Sequence, residues 1–147
     1  MKRRKLHEFV SKLGKKNDPV TLFISLHLQT ENWIDRLIED QCPSKLSKKI
    51  LGSSTSYTYA VKLTIVYAMR LIPEGLFRNL TILNKIRNGY AHSLDYDFRT
   101  EALRFIDANG ETLDRSSLKT EAVFGTMGGM TLAWLSVHCR RQHGLSD

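Results

Sequence analysis

The chain has 147 residues, 41% hydrophobic and 25% charged, which suits one globular domain able to bury its own core. Its formal net charge of +7 comes from 22 Lys and Arg against 15 Asp and Glu. No apolar run approaches the roughly 18 residues of a bilayer span, and no apolar run with a cleavage site follows the charged N-terminus, so neither a membrane protein nor a secreted one is expected.

A cytoplasmic setting follows as the expectation, and there Cys42 and Cys139 read as reduced thiols rather than a disulfide. The histidines and cysteines show no zinc-site spacing, so neither metal nor cofactor is expected. The basic excess gathers in KRRK, in KK at 15–16, in KLSKK at 45–49 and in CRRQH near the end. Such clusters read either as solvated surface or as a phosphate-attracting face.

In chain order, residues 1–17 form a basic N-terminal segment. NDPVTLF then starts a helix, with Asp18 as cap and Pro19 in the first turn. Leu22, Leu26, Trp33 and Leu37 share a face of that helix, with Phe23, Ile34 and Ile38 beside them, and it ends before CPS. A Ser-, Lys- and Gly-rich loop covers 43–56. SYTYAVKLTIVYAMRLI reads as a second helix capped by Ser56, and Pro73 opens a third that runs through PEGLFRNLTILNKIRNGYAH. DYDFRTEALRFIDANG reads as a shorter helix capped by Asp97 and closed near Gly110, with a hairpin around ANG as the alternative over 98–113. A long helix from about Ser117 to His143 completes the chain, its Gly125, Gly128 and Gly129 permitting close approach of a neighbour. The expected fold class is all-α, a single-domain bundle of about five helices over residues 18–147.

The third helix carries the unusual feature. On a wheel of 100° per residue, Leu76, Leu80, Leu83, Tyr90 and Ala91 cluster on one side and Arg87 falls among them. Thr81, Lys85, Asn88 and His92 make a second, polar stripe. A guanidinium on a core-facing stripe needs a partner or a wet cleft, and the first helix offers Glu31 and Asp35 as partners.

Arg87, four residues, then His92, with Asn88 directly after the arginine, resembles the HEPN superfamily of helical-bundle nucleases. The run YAVKLTIVYAMRLIPEGLFRNLTILNKIRNGYAH looks like its two central helices. The layout is also similar to the family of the mannitol operon repressor. The resemblance covers about residues 20 to 105 and implies a HEPN-like bundle that cleaves RNA without metal. In that chemistry the RNA 2′-hydroxyl attacks the adjacent phosphorus. Histidine moves protons near neutral pH, and arginine presents a planar fork of donors to the phosphate oxygens. The products would be a 2′,3′-cyclic phosphate and a 5′-hydroxyl.

Arg87 and His92 are the expected catalytic residues. Asn88 is expected to orient His92 or bond a phosphate, Lys85 to add phosphate affinity, and Tyr90 either to stack on a base or to fill the core. His27, His138 and His143 read as structural or surface residues, and Trp33 and Trp134 as core or interface anchors. Five positions span about 500° on a helix, which points Arg87 and His92 about 140° apart. Their convergence needs a helix loosened at Gly89, a helix end before His92, or a second subunit. The superfamily's habit of dimerising implies a homodimer with the paired motifs at one seam.

The implied partners are an RNA substrate and an antitoxin or regulatory protein, in a toxin–antitoxin or phage-defence role. Toxins of the superfamily neutralised by adenylylation carry a tyrosine two residues after the histidine. Here that position is Leu94, with Tyr96 two further on, so that mode of control is not expected. The alternative function is a non-catalytic regulator resembling the mannitol operon repressor.

Overall fold

The computed structural model describes residues 18–93, 95–106 and 110–112, together with Gly128, Gly129, Thr131 and Ala133. These residues form an all-α, single-domain bundle with five helices among them: α1 Pro19–Gln41, α2 Ser44–Leu51, α3 Tyr59–Ala68, α4 Glu74–His92 and α5 Arg99–Ala102. The basic segment 1–17 and most of the helix expected over 117–143, including Trp134, His138, Cys139 and His143, lie outside the described residues. Gly128, Gly129, Thr131 and Ala133 are helical. Among the described residues no helix is long and apolar enough to cross a membrane.

Helix α1 starts where its cap chemistry dictates. The Asp18 carboxylate accepts from Val20 N at 3.1 Å and Thr21 N at 3.2 Å, satisfying amides that have no partner within the helix. The hydroxyl of Thr21 also donates to Asp18, and this bond leads the causes that hold the aspartate below its ordinary range. Leu22, Phe23, Leu26, Ile34, Leu37 and Ile38 then bury one face against α3 and α4. Each such side chain contributes about 1.5–3 kcal/mol when fully buried. Trp33 packs at the edge of this core, with the Arg36 guanidinium 5.6 Å from its ring centre.

Two boundaries differ from the sequence expectation. Residues 44–51, expected as loop, form α2, because Ser47 and Ile50 fall on one side of a two-turn helix and bury against α1. Helix α3 starts after Thr58 rather than at Ser56 and stops at Ala68 rather than near Ile72. Its end is set by Arg70 at φ 59°, a left-handed residue that lets Leu71 N bond back to Val66 O at 3.0 Å.

The segment after α4 combines both expectations for 98–113. Asp97 Oδ1 accepts from Arg99 N at 3.0 Å and starts the single turn of α5. Leu103 and Arg104 continue as a turn, and beyond them Ile106 and Thr112 form an isolated antiparallel bridge, with Gly110 at φ 82°. The helix expected to reach Gly110 therefore ends at Ala102. Asn79, fully buried on α4, holds this segment with both ends of its amide: Nδ2 donates to Ile106 O at 2.7 Å and Oδ1 accepts from Ile106 N at 3.0 Å. Asn79→Ala leaves the Ile106 donor and acceptor unpaired. It should destabilise the fold by about 2–3 kcal/mol, read as a drop in denaturant midpoint with unchanged slope.

Candidate functional site

The last turns of α4 carry the motif, and core packing decides which way each residue faces. Leu76, Leu80, Leu83, Ile86 and Tyr90 are buried, whereas Arg87, Asn88, Ala91 and His92 are exposed. The core stripe therefore runs through Ile86, and Arg87 does not lie on it, contrary to the wheel. A wheel keeps the angle of a residue and discards its height along the axis. Leu80, about two turns earlier and at nearly the same angle as Arg87, is fully buried. Arg87 instead shares an open cleft with Thr58, Tyr59 and Ala60, where α3 begins.

The expected carboxylate partners of Arg87 are taken by another cation. Lys62 on α3 places Nζ 3.0 Å from Glu31 Oε1 and 2.8 Å from Asp35 Oδ1. Burial disfavours the Lys62 charge, but the two carboxylates reverse that, and the ammonium keeps its proton above the ordinary lysine range. Arg87 makes no ion pair among the described residues. Its Nη1 donates to Asn88 Oδ1 at 3.0 Å, so Asn88 meets the guanidinium one turn before His92.

Lys85 is also engaged. It pairs with the buried carboxylate of Glu101, which Arg104 approaches at 3.3 Å from the other side. Tyr90 takes the core option: its ring lies 6.1 Å from Phe23 and 5.5 Å from Tyr96, and burial pushes its hydroxyl up to about 12.

Two of the three routes to an Arg87–His92 convergence are closed. The helix continues to His92, and Ser93 N bonds Gly89 O at 3.0 Å, so α4 neither loosens at Gly89 nor ends early. Gly89 has a different use. A Cβ built there would stand 2.5–2.6 Å from the Tyr96 ring, so the missing side chain is what lets the turn after α4 lie against the helix.

The cleft beside Arg87 has a volume of about 390 Å³ and contains residues that carried no sequence signal: His27, Tyr57 and Asn84. His27, read as structural or surface, is buried. Its ring centre is 4.1 Å from Tyr59, and its Nε2 lies 3.1 Å from Asn84 Oδ1. An amide oxygen only accepts, so the imidazole donates from Nε2, and the Asn84 NH₂ remains as a donor group. Burial lowers the His27 pKa, opposed by the Asn84 bond and Glu31 and assisted by Arg87 and Lys62. His92 lies outside the lining of this cleft. Among the described residues no group of His, Cys, Asp and Glu is arranged to hold a metal.

Gly89→Ala should lower stability by about 1–2 kcal/mol through overpacking against Tyr96, despite alanine's better helix propensity. In a Tyr96→Ala background the same change should become neutral or stabilising, a sign reversal that a double-mutant cycle detects.

His27 should make folding acid-sensitive. Below the ordinary histidine pKa of about 6.5 the unfolded chain takes up a proton that folded His27 resists, so stability falls with pH from there toward the lowered native pKa. Tyr59 packs against the ring, and the charges of Glu31, Arg87 and Lys62 act on it. His27→Gln should flatten the melting temperature against pH between about 6.5 and 5. No protein-family model matches the chain, and no curated protein or solved structure does.

Proposed function

We propose that the chain is a metal-independent endoribonuclease of HEPN type, with Arg87 and His92 as its reacting pair and the α4 seam of a homodimer as its site. The observation that carries this reading is that Arg87 is exposed, bonded to Asn88 and without an ion pair among the described residues, on the same exposed end of α4 as His92. A guanidinium in that state is available to phosphate, whereas one held by Glu31 and Asp35 would not be. The imidazole is reachable by a substrate proton.

The regular helix through Gly89 keeps the two side chains of one chain about 140° apart, which favours pairing Arg87 of one subunit with His92 of its partner across a two-fold axis. In that arrangement each site has one Arg87, which offsets the charge on the pentacoordinate phosphate, and one His92, whose imidazole takes the 2′-hydroxyl proton and returns a proton to the leaving 5′-oxygen. Toxin or phage-defence action, with an antitoxin or regulatory partner, is the setting such an activity fits.

Arg87→Ala and His92→Ala should each reduce RNA cleavage by about 10²–10⁴ while leaving melting temperature unchanged, because both side chains are exposed. Wild-type cleavage should persist in chelator and leave 2′,3′-cyclic phosphate ends. Mixing the two inactive variants should restore about a quarter of wild-type activity, since a mixed dimer regains one intact trans site. Restoration below background would remove the trans arrangement. Intact RNA after incubation with wild-type dimer would remove the nuclease and leave the non-catalytic regulator.

A further inference from the structure

Deepening the ribonuclease reading and resting on it, we propose that the cleft beside Arg87 receives one nucleobase of single-stranded RNA and selects bases that carry an exocyclic amine over uracil. Sequence-specific proteins read single-stranded RNA by splaying a base out of its stack, laying it on an aromatic ring and bonding its edge. Each element of that mode is present between α1, α3 and α4. The volume of about 390 Å³ lies within the range of small-ligand sites. Tyr57, half-buried and packed against the core, lines the cleft as an aromatic surface held by its surroundings. Arg87 stands in the same lining, so a nucleotide whose base enters the cleft brings its phosphate to the guanidinium.

The polar groups set the preference. Glu31 uses Oε1 for Lys62, and that bond leaves its second carboxylate oxygen unconsumed as an acceptor. A carboxylate oxygen accepts from the amine of cytosine, and by the same chemistry from that of adenine or guanine. Uracil presents carbonyl oxygens where those bases present NH₂, and placing a carbonyl against a carboxylate is repulsive. Asn84, its oxygen occupied by His27 at 3.1 Å, offers the NH₂ face of its amide to ring nitrogen or carbonyl acceptors of the base. His27 is thus a positioning residue that fixes which end of Asn84 is free, and Asn88, bonded to Arg87, closes the same wall.

The test uses the full chain and short fluorescent oligomers of A, C and U with 2′-fluoro sugars, which lack the nucleophile and so report binding without cleavage. Oligo(A) and oligo(C) should bind at least about fivefold more tightly than oligo(U). Tyr57→Leu should weaken all three by at least about fivefold, while Tyr57→Phe, which keeps the ring, retains affinity. Glu31→Gln should erase the difference between A or C and U while binding of oligo(U) holds or rises, with folding checked by thermal melting.

Equal binding of the three oligomers, no binding of any, or unchanged affinity in a folded Tyr57→Leu variant overturns the assignment. Cleavage of ordinary RNA, measured alongside, separates the two readings. Selective binding without cleavage sinks the nuclease and supports the cleft, whereas cleavage indifferent to Tyr57 and Glu31 sinks the cleft alone.

Discussion

The register of α4 in the core is the constraint from which the site follows. Leu76, Leu80, Leu83 and Ile86 are each almost completely removed from solvent, and shifting the helix by one residue would put Phe77, Thr81, Asn84 and Arg87 in their places. Large apolar side chains stabilise by about 1.5–3 kcal/mol each when buried, so that shift is strongly opposed. The aromatic cluster of Phe23, Tyr90, Phe98 and Tyr96 locks the C-terminal turns in the same register, through contacts reaching from α1 to the turn beyond α4. The directions of Arg87 and His92 are consequences of this packing.

The second determinant is the distribution of cations among few carboxylates. With net charge +7, pairing one cation leaves another without a partner. Lys62 takes Glu31 and Asp35 in a half-buried arrangement that ties α3 to α1, and Lys85 and Arg104 share the buried Glu101, tying α4 to α5. Lys62 thereby offsets one of the two charges of Glu31 and Asp35, and Lys85 and Arg104 together surround the single charge of Glu101. Among the described residues Arg87 bonds the neutral amide of Asn88 and no carboxylate. A permanent charge left in this state beside a cleft suits an anionic ligand, and the proposed phosphate contact is the function for which that charge is available.

Much of the architecture was legible before any coordinates. The Asp18–Pro19 start, the apolar spacing along α1 and the Pro73 opening of α4 each express a local rule, and each produced the expected helix. The misread stretches are those where local rules compete. SKLSKKIL has too few apolar residues to announce a helix, yet burying Ile50 and the small Ser47 on its α1 side suffices. The end of α3 depends on Arg70 accepting a left-handed conformation usually given to glycine, which composition does not reveal. After α4 the described residues divide between one helical turn and an isolated Ile106–Thr112 bridge, where Asn79, more than twenty residues earlier, captures the backbone of Ile106.

What the sequence determined by itself was the helical class, the placement of the Arg87–Asn88–His92 group at the end of a helix, and an overall positive charge. All three depend on residue type and spacing within one segment. Tertiary structure alone decided that Glu31 and Asp35 serve Lys62, that Gly89 makes room for Tyr96, and that His27 meets Asn84 across 57 residues to wall a cleft beside Arg87. Those outcomes are competitions between partners distant in the chain, settled by which helices pack and at what height, and a one-dimensional pattern carries no record of height.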